Sequence, residues 1–288
     1  MSVIIENVMD SIANGIPVRV KRNNQGYQFD EGNGFEKYLR VSTFLDGVPK
    51  PAIAAWGMRS VAEFAWEHRA TWPSYPKQDA IDLMKKSPYK NRDRAGKKGT
   101  AVHNALEAYV KKEELPELTS VEQEYFEAGK RFLDARQSQL LGAEIICLNK
   151  SYGYAGTFDL WTIHNDETWL LDYKTSKGVY PNNALQLTAY QKAEWAVLKL
   201  KKQKPEGKTE VWTGVMIPWI EDYVTQMGVV HVTSECATLY RVRPSEMLWS
   251  TFRAAGHVKQ FMRETDSSFG KTPRQEVFET PISYGDKS

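Results

Sequence analysis

Residues 154–175 read YAGTFDLWTIHNDETWLLDYKT, and the fold turns on how this stretch pairs with itself. Two apolar runs flank the polar tetrad HNDE, the pattern of two strands joined by a tight turn. With the turn centred between Asn165 and Asp166, His164 faces Glu167, Leu160 faces Leu171 and Asp159 faces Asp172. Opposed residues share a face of the sheet. The two-residue period of a strand puts Lys174 on that face as well, and sends Trp169, Leu171 and Tyr173 into apolar packing on the other. Two directly opposed carboxylates repel, and strands avoid this. A divalent cation with oxygen ligands relieves it. Lys174, one pleat further on, then holds or polarises a water or a phosphate oxygen. The constellation suits metal-assisted phosphodiester hydrolysis. A register shift of one residue would part the two acids, and Asp-x-Lys alone also fits an exposed salt-bridged hairpin.

The 288-residue chain is long enough for one large domain or two modest ones. Its net charge of +2 and ordinary apolar content are those of a soluble globular protein. No apolar run approaches the roughly 20 residues that span a bilayer. The opening MSVIIENVMDSIANG carries early acids and no basic n-region, unlike a secretory signal. Two distant cysteines, Cys147 and Cys236, fit a reducing, cytoplasmic setting and exclude a four-cysteine cluster.

Outward from the hairpin, PVRVKRNNQGYQFD has the form of a strand pair turning near Asn23, Asn24 and Gly26, and YLRVSTFL alternates as a strand. Helical patterns cover 52–70, 79–86 and TAVHNALEAYVKK, with Ser120 as cap of a further helix. Between the second and third lies a basic loop with Pro and Gly; Lys85 to Lys98 holds seven cations and one acid. Strands are expected at 143–150, 153–163 and 168–175, a long helix at 182–201, strands near 210–217 and 225–233, and a last helix from about 244 to 262. Helices before and after a strand cluster predict a mixed α/β (α+β) sheet flanked by helices. The division is one domain over 1–265, with a lead-in to about 95 and a core from about 96, then a loose tail over 266–288.

GTFD, LLDYKTSK and LQLTAY in this order resemble the PD-(D/E)XK nuclease superfamily, specifically its RecB-like exonuclease branch. GKKGTAVHNALEAY, AEIICL and VSTFLDGVPKPAIAAWG resemble further segments of that branch. Phe158 stands where the superfamily's name places a proline. The resemblance implies a restriction-endonuclease-like core and Mg²⁺ or Mn²⁺ held by His103, Asp159, Asp172 and the Tyr173 backbone carbonyl. It makes Lys174 the catalytic lysine, and matches Gln186 and Tyr190 to a Gln-x-x-x-Tyr helix beside the scissile phosphate, where they hold the DNA backbone or orient Lys174. Some relatives carry an iron–sulfur cluster on four cysteines, and two cysteines exclude it here.

Read without the resemblance, His103 is a helix-margin histidine, and Glu107 is a surface partner. Glu144 is either a structural acid or one supporting the site; His68, His164, His231 and His257 have no assigned partner. The basic stretch, with Lys97, Lys98 and Tyr89, is either a solvated loop or a phosphate grip. Trp56 and Trp72 are candidates for base stacking. The leading function is a metal-dependent DNA exonuclease of recombination, repair or phage DNA processing. Its competitors are a nuclease-fold DNA-binding module without catalysis, a two-carboxylate glycosidase, and a nuclease acting on RNA.

Overall fold

In the computed structural model, which describes residues 3–219 and 221–268, helix α1 (Val3–Ala13) leads into β1 (Ile16–Asn23) and β2 (Gly26–Asp30). The strand pair expected there is present, antiparallel, with Asn23 against Gly26 at its turn. Strand β3 (Phe35–Arg40) follows. The expected strand over 38–45 is corrected at Arg40, because Val41–Phe44 coil into the short helix α2. Val41, Phe44 and Leu45 sit at i, i+3 and i+4, so one helical turn buries all three.

Helix α3 (Pro51–Glu67) packs along α4 (Lys77–Lys111). The expected short helix, basic loop and third helix are in fact this one 35-residue helix, with Pro88 inside it. A proline interrupts a helix partly by withholding its N–H from the carbonyl four residues back. Here that carbonyl, on Met84, accepts the Ser87 hydroxyl at 2.9 Å. Ser87 is itself buried against α3, 3.4 Å from the Ser60 carbonyl oxygen. Helix α5 (Ser120–Arg136) is capped by Thr119 rather than Ser120, through a reciprocal capping box with Glu122.

Strands β4 (Gln139–Asn149), β5 (Tyr154–His164) and β6 (Glu167–Lys174) form an antiparallel meander. Helix α6 (Pro181–Gln191) follows and ends ten residues short of the expected Leu/Lys terminus at 201. The alternating WAVLKLKK is strand β7 (Trp195–Lys202), with Ala196 and Leu198 in one core and Val197 in another. Strands β8 (Glu210–Pro218) and β9 (Gln226–Val232) lie where expected. Strand β10 (Ala237–Val242) and helix α1 had no counterpart in the sequence reading. Helix α7 (Glu246–Ser268) takes in residues 266–268 of the expected tail, and 269–288 lie outside the described residues.

The ten strands form one mixed sheet in the order β10-β9-β6-β5-β3-β2-β1-β8-β7-β4, and β4 pairs back onto β5. The strands from β5 round to β4 therefore close into a barrel, while β6, β9 and β10 continue outward as a flange. The mixed helix-and-sheet class holds; barrel closure is new. Val18, Val20, Phe29, Ile146, Val197 and Met216 fill one cluster from the barrel strands. The flange is covered on one face by α6 and α7, through Leu170, Tyr190 and Phe252, and on the other by α4 and α5, through Leu171, Leu106 and Phe126. No described helix is long and apolar enough to cross a membrane.

Candidate active site

Strand β5 is shared by barrel and flange. At its start it pairs β3, and from Leu160 onward β6 takes over that edge. The hairpin register is the expected one, from His164↔Glu167 to Leu160↔Leu171. Asn165 and Asp166 both adopt left-handed φ, 51° and 61°, the conformation of a two-residue hairpin turn. The ladder stops one pair short of Asp159 and Asp172. There the strands part, and the Tyr173 N–H donates to Asp159 Oδ2 at 2.6 Å. The expected direct opposition of the two acids is thereby replaced by an offset, with Asp159 reaching across toward the Tyr173 amide.

The other edge of Asp159 is open as well. Strand β4 pairs at Ala143↔Leu160 and Ile145↔Phe158 but skips Glu144 and Asp159 between them. Glu144 takes φ 54°, a left-handed conformation that costs a non-glycine residue about 1–2 kcal/mol. Asp159 is thus the one residue of β5 in neither ladder, and its carboxylate stands at a gap on both sides.

Four expected site residues converge here. His103 Nδ1 of α4 lies 3.3 Å from Asp159 Oδ2, and Lys174 Nζ pairs with Asp172 Oδ2. The His103 ring meets Tyr173 edge-on. Gly99 brings α4 close to the end of β6: a Cβ there would lie 3.0 Å from Thr175 Oγ1. Asp172 is 3% exposed. Burial raises its pKa and Lys174 pulls it down; with Asp159's charge adding to burial, it stays above the ordinary value. For Asp159, burial is outweighed by His103, Lys174 and the Tyr173 amide, and its pKa is lowered. Lys174 and His103 are each lowered by burial but held up more strongly by the two carboxylates, so both stay protonated above their usual range. Glu107, one turn past His103, is taken by Lys111.

Beside Asp159 opens a cavity of about 350 Å³, lined also by Glu144, Arg22, Arg40, Gln186 and Tyr190. Gln186 Nε2 donates to the Tyr190 hydroxyl at 2.6 Å, the one-turn contact expected of this pair. Residue 156 is glycine, and a Cβ there would come within 2.4 Å of the Tyr190 ring. Glu144 faces Asp159 across this cavity, and burial, then Asp159 and Glu107, push its carboxyl up to about 8. Arg22 and Arg40 come from β1 and β3, strands with no site signal of their own until barrel closure brings them here. The two basic candidates diverge. Lys97 is exposed, beside a broad groove of about 690 Å³ with Arg92 and Asn104. Lys98 turns its ammonium onto the Tyr125 ring at 3.7 Å.

The side-chain donors present suit a hard divalent cation: carboxylate oxygens and one imidazole. Among the described residues, however, no group of three or more His, Cys, Asp and Glu side chains stands close enough to hold a metal ion. Lys174 on Asp172 and His103 on Asp159 already meet the charge that such an ion would meet. In comparisons with known proteins, no family model matches the chain and no curated protein matches it.

Proposed function

We propose that the protein is a metal-dependent DNA nuclease, resembling the RecB-like PD-(D/E)XK exonucleases, with Mg²⁺ or Mn²⁺ as cofactor. The observation that carries this reading is the meeting of His103, Asp159, Asp172 and Lys174, from α4, β5 and β6, where β5 and β6 part. An exposed salt-bridged hairpin does not account for it, because Asp172 is buried and two acids with their two basic partners are gathered at one point from three elements. The meander β4–β5–β6, followed by α6 and the parallel strand β9, supports a restriction-endonuclease-like core at the flange side of the barrel.

His103, Asp159, Asp172 and the Tyr173 carbonyl would hold the cation. When bound, it supplies Lewis-acid stabilisation of charge developing on a phosphoryl oxygen. Lys174, held protonated by Asp172 and Asp159, would donate a hydrogen bond to the attacking water or a phosphate oxygen. Gln186 and Tyr190 hold the strand against the cavity wall, and the exposed cations of α4 guide the backbone in.

A second reading has its own observation. Lys174 and His103 neutralise both acids without a metal, as in a DNA-binding module without turnover. Incubation with end-labelled linear and circular DNA, single- and double-stranded, in Mg²⁺, Mn²⁺ or EDTA decides between them. Cleavage in either cation that EDTA stops supports the nuclease; retention of DNA without cleavage in any condition supports the binding module.

A further inference from the structure

Unspent polar chemistry is also concentrated at the turn end of the β5–β6 hairpin. Trp169 of β6 pairs with Thr162 of β5, so their side chains stand together on the face covered by α5. The Arg136 guanidinium, in the last turn of α5, lies 4.3 Å from the Trp169 ring, and that of Arg241, on the edge strand β10, lies 5.9 Å from it. Arg136 Nε and Nη2, Trp169 Nε1, Thr162 Oγ1 and the nearby Ser138 Oγ are buried and unpaired among the described residues. Trp169 is 7% exposed and Thr162 3%. Neither arginine has an ion pair or hydrogen bond among the described residues; both contact the indole, Arg136 also feels the charge of Glu167, and Arg241 is exposed.

A natural interior satisfies its buried donors, and each one left unmade costs about 1–3 kcal/mol. Solvent reaches Arg241, but the buried Arg136 Nε and Nη2, Trp169 Nε1 and Thr162 Oγ1 are left without a protein acceptor or donor. Burial holds Arg136 below its ordinary pKa despite the attraction of Glu167, which makes no ion pair with it and accepts from the Gln226 amide at 2.6 Å. An anion with several acceptor oxygens would satisfy these donors and meet both arginines that flank the indole. A phosphoryl group matches two guanidinium forks in both respects.

We propose that Arg136, Arg241, Trp169 and Thr162 form a binding site for a phosphoryl oxyanion, distinct from the carboxylate site. Trp169 is three residues from Asp172, roughly 10 Å along the strand. The site stands whether or not the protein is a nuclease.

The test is an NMR titration of the ¹⁵N-labelled full chain in EDTA at constant ionic strength, with the Trp169 indole N–H assigned through Trp169→Phe. One arm adds inorganic phosphate, and the other adds a short oligodeoxynucleotide without terminal phosphates. The Trp169 resonance should move saturably, and Arg136→Gln should raise the half-saturation at least tenfold. Movement in both arms makes a polynucleotide backbone an accepted source; movement with inorganic phosphate alone makes the ligand a free phosphate. Should Arg136→Gln not fold, Arg241→Gln on the exposed strand carries the same comparison with a smaller shift. A resonance that stays still in both arms, or that saturates equally in wild type and variant, overturns the site.

Discussion

The carboxylate of Asp159 accepts the backbone N–H of Tyr173 at 2.6 Å, so an aspartate side chain occupies the place of a ladder carbonyl. The same oxygen lies 3.3 Å from His103. One group thus splays the hairpin and anchors the α4 helix.

Asp159→Ala and Asp159→Asn should both lose DNA cleavage in Mg²⁺. They should differ in stability, because asparagine keeps an acceptor for the Tyr173 amide and alanine does not. In EDTA the alanine variant should be less stable than the asparagine variant by about 1–3 kcal/mol. Equal denaturant midpoints for the two would remove the structural role of the carboxylate.

Lys174→Ala should lower turnover by about 100-fold or more, the usual loss on removing a group that stabilises transition-state charge. The loss belongs in kcat, with KM little changed. A change confined to KM would make Lys174 a phosphate clamp.

His103 carries a pH prediction. Burial lowers its pKa, but Asp159 and Asp172 raise it further, so the net folded value lies above the unfolded one near 6.5. Its contact with Asp159 therefore stabilises the metal-free protein fully below that unfolded value and fades as pH rises through the folded one. Between pH 5.5 and 8.5 in EDTA, His103→Gln should flatten this part of the stability curve. A metal must displace the extra proton, so half-saturating Mn²⁺ should fall as pH rises through the same window, and the variant should need more Mn²⁺ at the high-pH end, where His103 is neutral. Superimposable Mn²⁺ titrations of wild type and variant would refute the ligand role.

Glu144→Gln should stabilise the metal-free protein. An acid whose pKa is raised to about 8 by burial is penalised in its charged form. Its contribution is best at low pH and is lost as pH climbs from the unfolded value near 4.3 toward 8. At pH 7.5 the gain should be about 1–2 kcal/mol, discounted because Glu144 is partly exposed. Thermal melts across that range would show the variant's advantage growing with pH; no growth would contradict the raised pKa.

The two neighbouring lysines should separate. Lys97→Gln should lower DNA affinity across sequences and reduce the salt slope by about one, as loss of one phosphate contact does. Lys98→Gln should instead cost about 0.5–1 kcal/mol of stability through the lost Tyr125 contact. Binding assays at several salt concentrations, with melts of both variants, read the difference.

The hairpin was legible because HNDE can hardly turn anywhere but at Asn165–Asp166, and one fixed turn sets every pair up to Leu160↔Leu171. The gathering of His103, Asp159, Asp172 and Lys174 followed from that register and the family motifs. Other features depended on partners remote in sequence. Pro88 reads as a helix stop, and only Ser87, anchored on Ser60 of another helix, lets α4 pass through it. Residues 195–202 are strand because β4 and β8 flank them, a closure that no local pattern announces. The same closure delivers Arg22 and Arg40 to the cavity. The left-handed turn at Glu144 has no glycine or asparagine to mark it.

Because α4 continues unbroken through Pro88, the cations and His103 are mounted on a single ruler. From Lys85 to His103 is about 27 Å of helix, the length of roughly eight base pairs of duplex. A loop between them would let their separation vary, whereas a helix fixes the span. Under the proposed nuclease function, duplexes shorter than that cannot occupy both ends at once, so affinity should climb with length in a step near eight base pairs and then level off.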